Sequence, residues 1–230
     1  MQNTTNKVDG AVKHHPMPFV RLELVALCVA EGQLRVLLSR RQEAPCKGRL
    51  ALPGGVLRID KDSSLEAGAQ RVAQERLGGP LSNLSQVCAA GGQHRDPRAP
   101  WALSVVYRSL VQPELAVTPG KRVAALEWHP VDEILASSKL AFDHTALLES
   151  AATATREQIA SLRYPAGWIP EPFTLPELQA FSEAVLSKRL DKVTFRRRIE
   201  SSGTARAVPG EFRQGGAHRP AQLFRLQPMR

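Results

Sequence analysis

The sequence predicts an α+β chain in which a mixed strand-and-helix domain precedes a small unit of two helices and a hairpin. Three observations predict it. Apolar, β-branched runs fill residues 19–41. A helical apolar period over 63–77 ends at a glycine pair. After Pro165, Pro170 and Pro172 the pattern changes to two capped helices and a basic, Gly/Pro-rich hairpin. A chain of 230 residues can bury a core of its own without a disulfide staple.

Each element has its own signal. "FVRLELVALCVA" (19–30), "EGQ" and "LRVLLSRR" (34–41) read as a β-hairpin, followed by a short strand and loop in "LALPGGV". In "SSLEAGAQRVAQERL" (63–77), Leu65, Ala69, Val72, Ala73 and Leu77 share a helix face, Ser63 or Ser64 caps the start, and Gly78–Gly79 stop it. "SQVCAAGGQ", "ALSVVYRSLV" and "RVAALEWHPV" read as further strands, and 141–164 as a long helix with Asp143 as N-cap. Beyond the prolines, Thr174 and Glu177 have capping-box spacing and Pro176 suits a first turn. Residues 190–203 form a second helix with Asp191 as N-cap and Gly203 as stop, and two short strands follow. Helix, helix, hairpin is the order of a winged helix. The expected boundaries are a disordered tail over 1–17, a first domain over 18–164 and a winged helix over 165–230.

Composition excludes some classes. No apolar run reaches the roughly 18 residues of a membrane span, and "MQNTTNKVDGAVKHHPMP" lacks the apolar core of a signal peptide. Cys28, Cys46 and Cys88 are odd in number and have no ligand spacing, so reduced thiols in a cytoplasmic protein are expected. The formal charge is +9. From Lys188 to Arg230, eleven Lys/Arg face three Asp/Glu, so nearly all the excess lies in the last 43 residues. Without an apolar amphipathic face, that asymmetry points to nucleic acid rather than membrane.

The stretch "LPGGVLRIDKDSSLEAGAQRVAQERLGG" (52–79) raises the question of phosphate chemistry. A diphosphate hydrolase holds Mg²⁺ with carboxylate oxygens, and glutamates at i, i+3 and i+4 of one helix converge on one ion. Pro53, Gly54, Gly55, Arg71 and Gly78 resemble the Nudix box, with its Arg-Glu-x-x-Glu-Glu core. The three glutamate positions, however, read Val72, Glu75 and Arg76; Lys61 occupies another usual glutamate position, and the box is two residues longer than standard. The side-chain charge of the triad is zero instead of −3. No catalytic residue, metal ligand or cofactor is therefore expected.

Five motifs in order, "HRDPRAP" (94–100), "LAFDH" (140–144), "FTLPELQ" (173–179), "DKVTFRRRI" (191–199) and "HRPAQLFRL" (218–226), resemble the Nudix-related transcriptional regulators, the NrtR family. The resemblance spans residues 19–226. It implies a Nudix-type α/β/α sandwich fused to a winged helix-turn-helix domain. It further implies a homodimeric repressor on a palindromic double-stranded operator, with ADP-ribose or a related nucleotide of NAD metabolism as effector. The candidate ligand residues are Arg40, Arg41, Gly54, Gly55, Arg71, Glu75, Arg95 and Arg98, because arginines meet diphosphate oxygens bidentately. Phe142, Asp143 and His144 are read as capping and packing a helix.

The candidate DNA residues are Lys192, Thr194, Arg196, Arg197 and Arg198 on the second helix, where Phe195 and Ile199 form a buried stripe, and Arg213, His218 and Arg219 in the wing. The rival reading is a Nudix hydrolase of ADP-ribose or a related nucleoside diphosphate derivative, with a basic tail of no regulatory role.

Overall fold

The first hairpin forms where the sequence places it. In the computed structural model, β1 (Phe19–Ala30) and β2 (Gln33–Arg41) pair antiparallel through Ala30↔Gln33. Glu31 and Gly32 turn the chain with φ of 53° and 71°, the two left-handed residues of a type I′ hairpin. The structure describes residues 17–137, 140–165, 167–215 and 218–227; the tail expected over 1–17 falls, apart from Met17, outside them.

β1 is also paired in parallel with β6 (Trp101–Leu110), from Phe19↔Ala102 to Leu27↔Leu110. β5 (Ser85–Gln93) lies beyond β6, and β3 (Leu50–Ala51) beyond β2. β4 (Gly54–Val56) pairs with β1, and β7 (Val123–Pro130) with β2. Both faces of β1 are covered, so its apolar run is nearly continuous. Leu22, Leu24, Ala26 and Cys28 meet α1 (Leu65–Leu77) through Ala69, Val72, Ala73 and Leu77. Val25 and Leu27 face the other way, into a core shared with Leu147, Leu148, Ala151 and Ala152 of α3 (His144–Ala160). This period of two on a sheet covered by helices makes the α/β/α sandwich.

α1 starts at Ser64, whose hydroxyl accepts from Ala67 N, and stops at left-handed Gly78. A short helix, α2 (Val131–Ser137), continues from β7 where the sequence pattern predicts only a strand. α3 is shorter than the 141–164 expected, and the Asp143 side chain makes no capping bond. Its carboxylate accepts instead from Arg95 Nε at 2.6 Å, a partner 48 positions away that local pattern does not reveal.

The second domain follows the local signals closely. α4 (Leu175–Leu186) carries the full Thr174/Glu177 capping box, and α5 (Lys192–Ser202) starts at Asp191, whose carboxylate accepts from Thr194 N. β8 (Ala205–Gly215) and β9 (His218–Leu226) form an antiparallel hairpin longer than the short strands expected. Phe173 and Phe224 exchange two backbone hydrogen bonds, an isolated bridge that ties the start of the second domain to β9. Phe173, Leu178, Phe181, Val185, Phe195 and Ile199 belong to the same apolar core as α3. Polar contacts reinforce the junction: Arg156 of α3 donates to Val185 O (3.1 Å) and Asp132 (2.6 Å), and the Tyr164 and Ser182 hydroxyls are hydrogen-bonded at 2.7 Å. The two domains are packed together, not strung on a linker.

Candidate functional site

The Pro-Gly-Gly loop sits hard against β1. A Cβ on Gly54 would lie 1.7 Å from Glu23 Oε2, so any larger residue there must push the buried Glu23 carboxylate aside. Glu23 is fully buried, accepts from Arg21 Nε at 2.6 Å through Oε1, and leaves Oε2 without a partner among the described residues. His144 lies behind it, with Nε2 3.9 Å from Glu23 Oε1 and Nδ1 accepting from Leu52 N. Burial pushes the His144 imidazole down, which keeps it neutral.

Opposite the loop, residues 118–122 are laid across the end of α1. Thr118 N, Gly120 N and Lys121 N donate to the carbonyls of Leu77, Arg76 and Glu75 at 2.9, 3.2 and 3.1 Å. These are the last-turn carbonyls that a helix leaves without an internal donor. A Cβ on Gly120 would lie 2.0 Å from Glu75 O, so a glycine is required at this approach. The loop thereby delivers Lys121 and Arg122 to the side of Arg76.

The outcome is a cationic trough. A cavity of about 70 Å³ has Arg21, Arg41, Arg76, Arg98 and Arg122 on its wall, with Gly54 at the loop and Glu43 as the one carboxylate among the described residues that line it. A neighbouring hollow of about 230 Å³ shares Val56, Arg76 and Arg122 and adds Arg58, Arg71, Lys121 and Glu75. Phe142 steadies two of the arginines, its ring 4.9 Å from the Arg41 guanidinium and 5.7 Å from that of Arg98.

The expected ligand residues divide accordingly. Arg41, Gly54 and Arg98 line the cavity, and Arg71 and Glu75 line the hollow. Arg71 is already held by Asp62, through two 2.7 Å hydrogen bonds that pin the loop before α1. Arg98 is paired with Asp96. Arg40 lines neither space; its fork grips Glu127 at 2.8 and 3.0 Å. Arg95 is engaged by Asp143 and the Ala90 carbonyl, and Gly55 lies against Val72; neither lines the cavity or the hollow. Arg21, Arg76 and Arg122 went unnamed as ligand residues. Arg76 was visible in the sequence as a missing glutamate, but not as a positive contribution.

The glutamate positions of the helix do not fit a metal ion. Val72 is wholly buried under Gly55 and Arg76 turns its charge into the trough, leaving Glu75 within 3.2 Å of Arg71. Among the described residues no group of three His, Cys, Asp or Glu is placed to hold a metal.

The second candidate surface is α5. Phe195 and Ile199 are buried, while Lys192, Thr194, Arg196 and Arg197 are exposed, Lys192 and Arg196 flanking Phe195 and Arg197 farther round the helix. Arg196 pairs with Glu200 at 2.9 Å, one turn along. Arg197 donates no hydrogen bond to a described residue. Arg198 turns back to Ala160 O (2.9 Å), tying α5 to the end of α3. Arg213 of β8 is folded onto α4, donating to Glu177 and to Pro172 O. The side chains of His218 and Arg219 lie outside the described residues.

A Nudix-type sheet without its carboxylate triad, packed on a winged helix with a basic exposed helix, defines a class: a sensor-and-reader protein of the Nudix-related transcriptional regulator type. Comparison with known sequences agrees. Residues 21–150 match the NUDIX domain family and residues 165–226 the NrtR DNA-binding winged helix domain family. The chain is 34% identical over 212 residues to the ADPR responsive transcriptional repressor NtrR of Acinetobacter baylyi, covering 92% of this chain and 83% of that protein. NrtR of Shewanella oneidensis is 32% identical with a TM-score of 0.74, over 91% of this chain and 94% of that one. Its complex with a 27mer DNA gives 31% and 0.73, with the same coverage of both chains. The NUDIX domain of that protein complexed with ADP ribose is 29% identical with a TM-score of 0.57, over 64% of this chain and 94% of that one. The chain belongs to the NrtR family.

Proposed function

We propose that this protein is a homodimeric, cytoplasmic, DNA-binding repressor whose Nudix domain senses ADP-ribose or a related adenine nucleotide diphosphate. The observation that carries the reading is the cationic trough, with one carboxylate on the wall of its inner cavity, set in a domain that shares its core with a winged helix. Direct charge-assisted contacts from a guanidinium fork suit a diphosphate, and the relatives bring the rest of the reading: one is named as ADPR responsive, and another was crystallised with DNA and with ADP ribose. No helix among the described residues is long and apolar enough to cross a membrane.

α5 is the reader. Its N-terminal half presents Lys192, Thr194, Arg196 and Arg197 away from the core, which is how a recognition helix reaches base edges in the major groove. Arg198 and Arg213 hold the frame instead, through Ala160 O and Glu177. In a dimer, two such helices read half-sites about one helical turn apart, and an effector that favours another dimer geometry breaks that match. The test is a gel-shift series on the promoter nearest the coding sequence. Whichever of Arg196 and Arg197 pairs with guanine loses about 1–3 kcal/mol of binding on change to alanine, together with sequence discrimination. If both alanine variants bind like the parent, α5 is not the reader.

A further inference from the structure

Two guanidinium groups on the trough differ from all the others. Arg41 and Arg76 are half-buried, line the same cavity, and form no ion pair with a carboxylate among the described residues. Arg41 donates to the Pro45 and Glu43 carbonyls, and Arg76 to the Gly54 and Lys121 carbonyls. Burial opposes the charge on both; Arg98 and Arg21 add to that at Arg41, while at Arg76 the nearby Glu75 carboxylate works against Arg21 and Arg122 without forming an ion pair. The rest of the wall is compensated, Arg21 by Glu23, Arg98 by Asp96 and Arg122 by Glu43 at 3.2 Å. Half-buried cations without counterions are costly unless an anion completes them.

We infer that Arg41 and Arg76 form a metal-independent diphosphate site, with the Arg76 guanidinium standing where the Nudix helix would otherwise present a carboxylate to Mg²⁺. The inference rests on the effector reading and deepens it by naming the group recognised and the charge that recognises it. Geometry supports the assignment in three ways. Arg76 occupies a glutamate position of the box, its Nε is 3.0 Å from the Gly54 carbonyl of the phosphate-type loop, and it borders both the cavity and the hollow. The carbonyls hold each guanidinium in place while leaving its charge unneutralised. Each fork is thus oriented before the ligand arrives, which lowers the ordering cost of binding. The cavity of about 70 Å³ is too small for a whole diphosphate, which must reach from it into the neighbouring hollow of about 230 Å³, where Arg76 also stands on the wall.

The experiment is calorimetry on the full-length protein with two probes, inorganic pyrophosphate and ADP-ribose, in metal-stripped buffer and again with Mg²⁺ added. Both probes are expected to bind without metal, and Mg²⁺ to leave the ADP-ribose affinity within about twofold. Arg41→Gln and Arg76→Gln are each expected to weaken pyrophosphate by about tenfold or more, as loss of a charge-assisted contact implies. Arg76→Lys, which keeps the charge and loses the fork, should fall between; circular dichroism checks folding, and the comparison of buffers on the parent needs no variant. ADP-ribose that binds only once Mg²⁺ is present overturns the inference and leaves the effector reading standing. Pyrophosphate bound in metal-stripped buffer, with no response to ADP-ribose in either buffer, supports the anion site and overturns the effector reading. If neither probe binds, both fall.

Discussion

Gly120→Ala tests the architecture of the trough through a single methyl group. The added Cβ would lie 2.0 Å from Glu75 O and 3.2 Å from Arg76 Cα, both backbone atoms of α1, so no side chain can yield to admit it. The loop must lift. Lifting it breaks the hydrogen bonds of Thr118 N, Gly120 N and Lys121 N to the last carbonyls of α1. At about 1 kcal/mol net each, the ceiling is about 3 kcal/mol; water reaches this half-exposed loop, so about 1–2 kcal/mol is the expected loss of global stability. The local effect is larger in consequence. Lys121 and Arg122 leave the side of Arg76, and Arg76 loses its Lys121 carbonyl anchor. ADP-ribose affinity should therefore fall about tenfold or more. DNA binding in the absence of effector should be unchanged, because among the described residues the core that α4 and α5 share with α3 includes none from this loop. Urea denaturation, calorimetry and a gel shift read the three quantities on one preparation. Parent-like stability together with parent-like ADP-ribose affinity would refute the reasoning.

Further expectations concern chemistry and pH. Hydrolysis of ADP-ribose with Mg²⁺ or Mn²⁺ should be negligible, since the box retains Glu75 alone and Arg71 sits 3.2 Å from it; a turnover near ~1 s⁻¹ that Glu75→Gln abolishes would contradict this. His144 is held neutral by burial, its pKa lowered from 6.5. The unfolded chain therefore takes up that proton first, so stability is full above 6.5 and declines as pH falls below it, by at most about 1.4 kcal/mol per pH unit. Urea midpoints measured at falling pH should show a steeper decline for the parent than for His144→Gln, which keeps an acceptor for Leu52 N and has no ionisable group. Equal declines would mean that His144 is not responsible.

Elements governed by local chemistry were legible in the sequence. The β1–β2 hairpin, α1 with its Ser64 cap and Gly78 stop, the Thr174/Glu177 capping box and the Phe195/Ile199 stripe all depend on residues within a few positions of one another. Asp143 shows the limit: it has cap chemistry, yet Arg95 from the β5–β6 connection claims its carboxylate. The short α2 has a start signal in Pro130 and the acidic Asp132 and Glu133 of its first turn, but seven residues are too few for a helical apolar period to stand out. The trough was legible in part. Nearness to the motif singled out Arg71, Arg95 and Arg98, but each meets a carboxylate, Asp62, Asp143 or Asp96, that sequence spacing did not connect to it. Arg41 was named from its place at the end of a strand. Arg21 and Arg122 reach the cavity from β1 and from a loop folded over α1, and only the tertiary structure brings them together.

Fluorescence anisotropy of a labelled promoter duplex, held half-saturated by the full-length protein and titrated with ADP-ribose, puts the link between trough and reader to the most direct test. Saturable release of the duplex is expected, with a midpoint that follows the calorimetric affinity. The Arg41→Gln, Arg76→Gln double variant should still bind the duplex and should not release it over the same range. DNA that stays bound at ADP-ribose concentrations where calorimetry shows the site full would contradict the account.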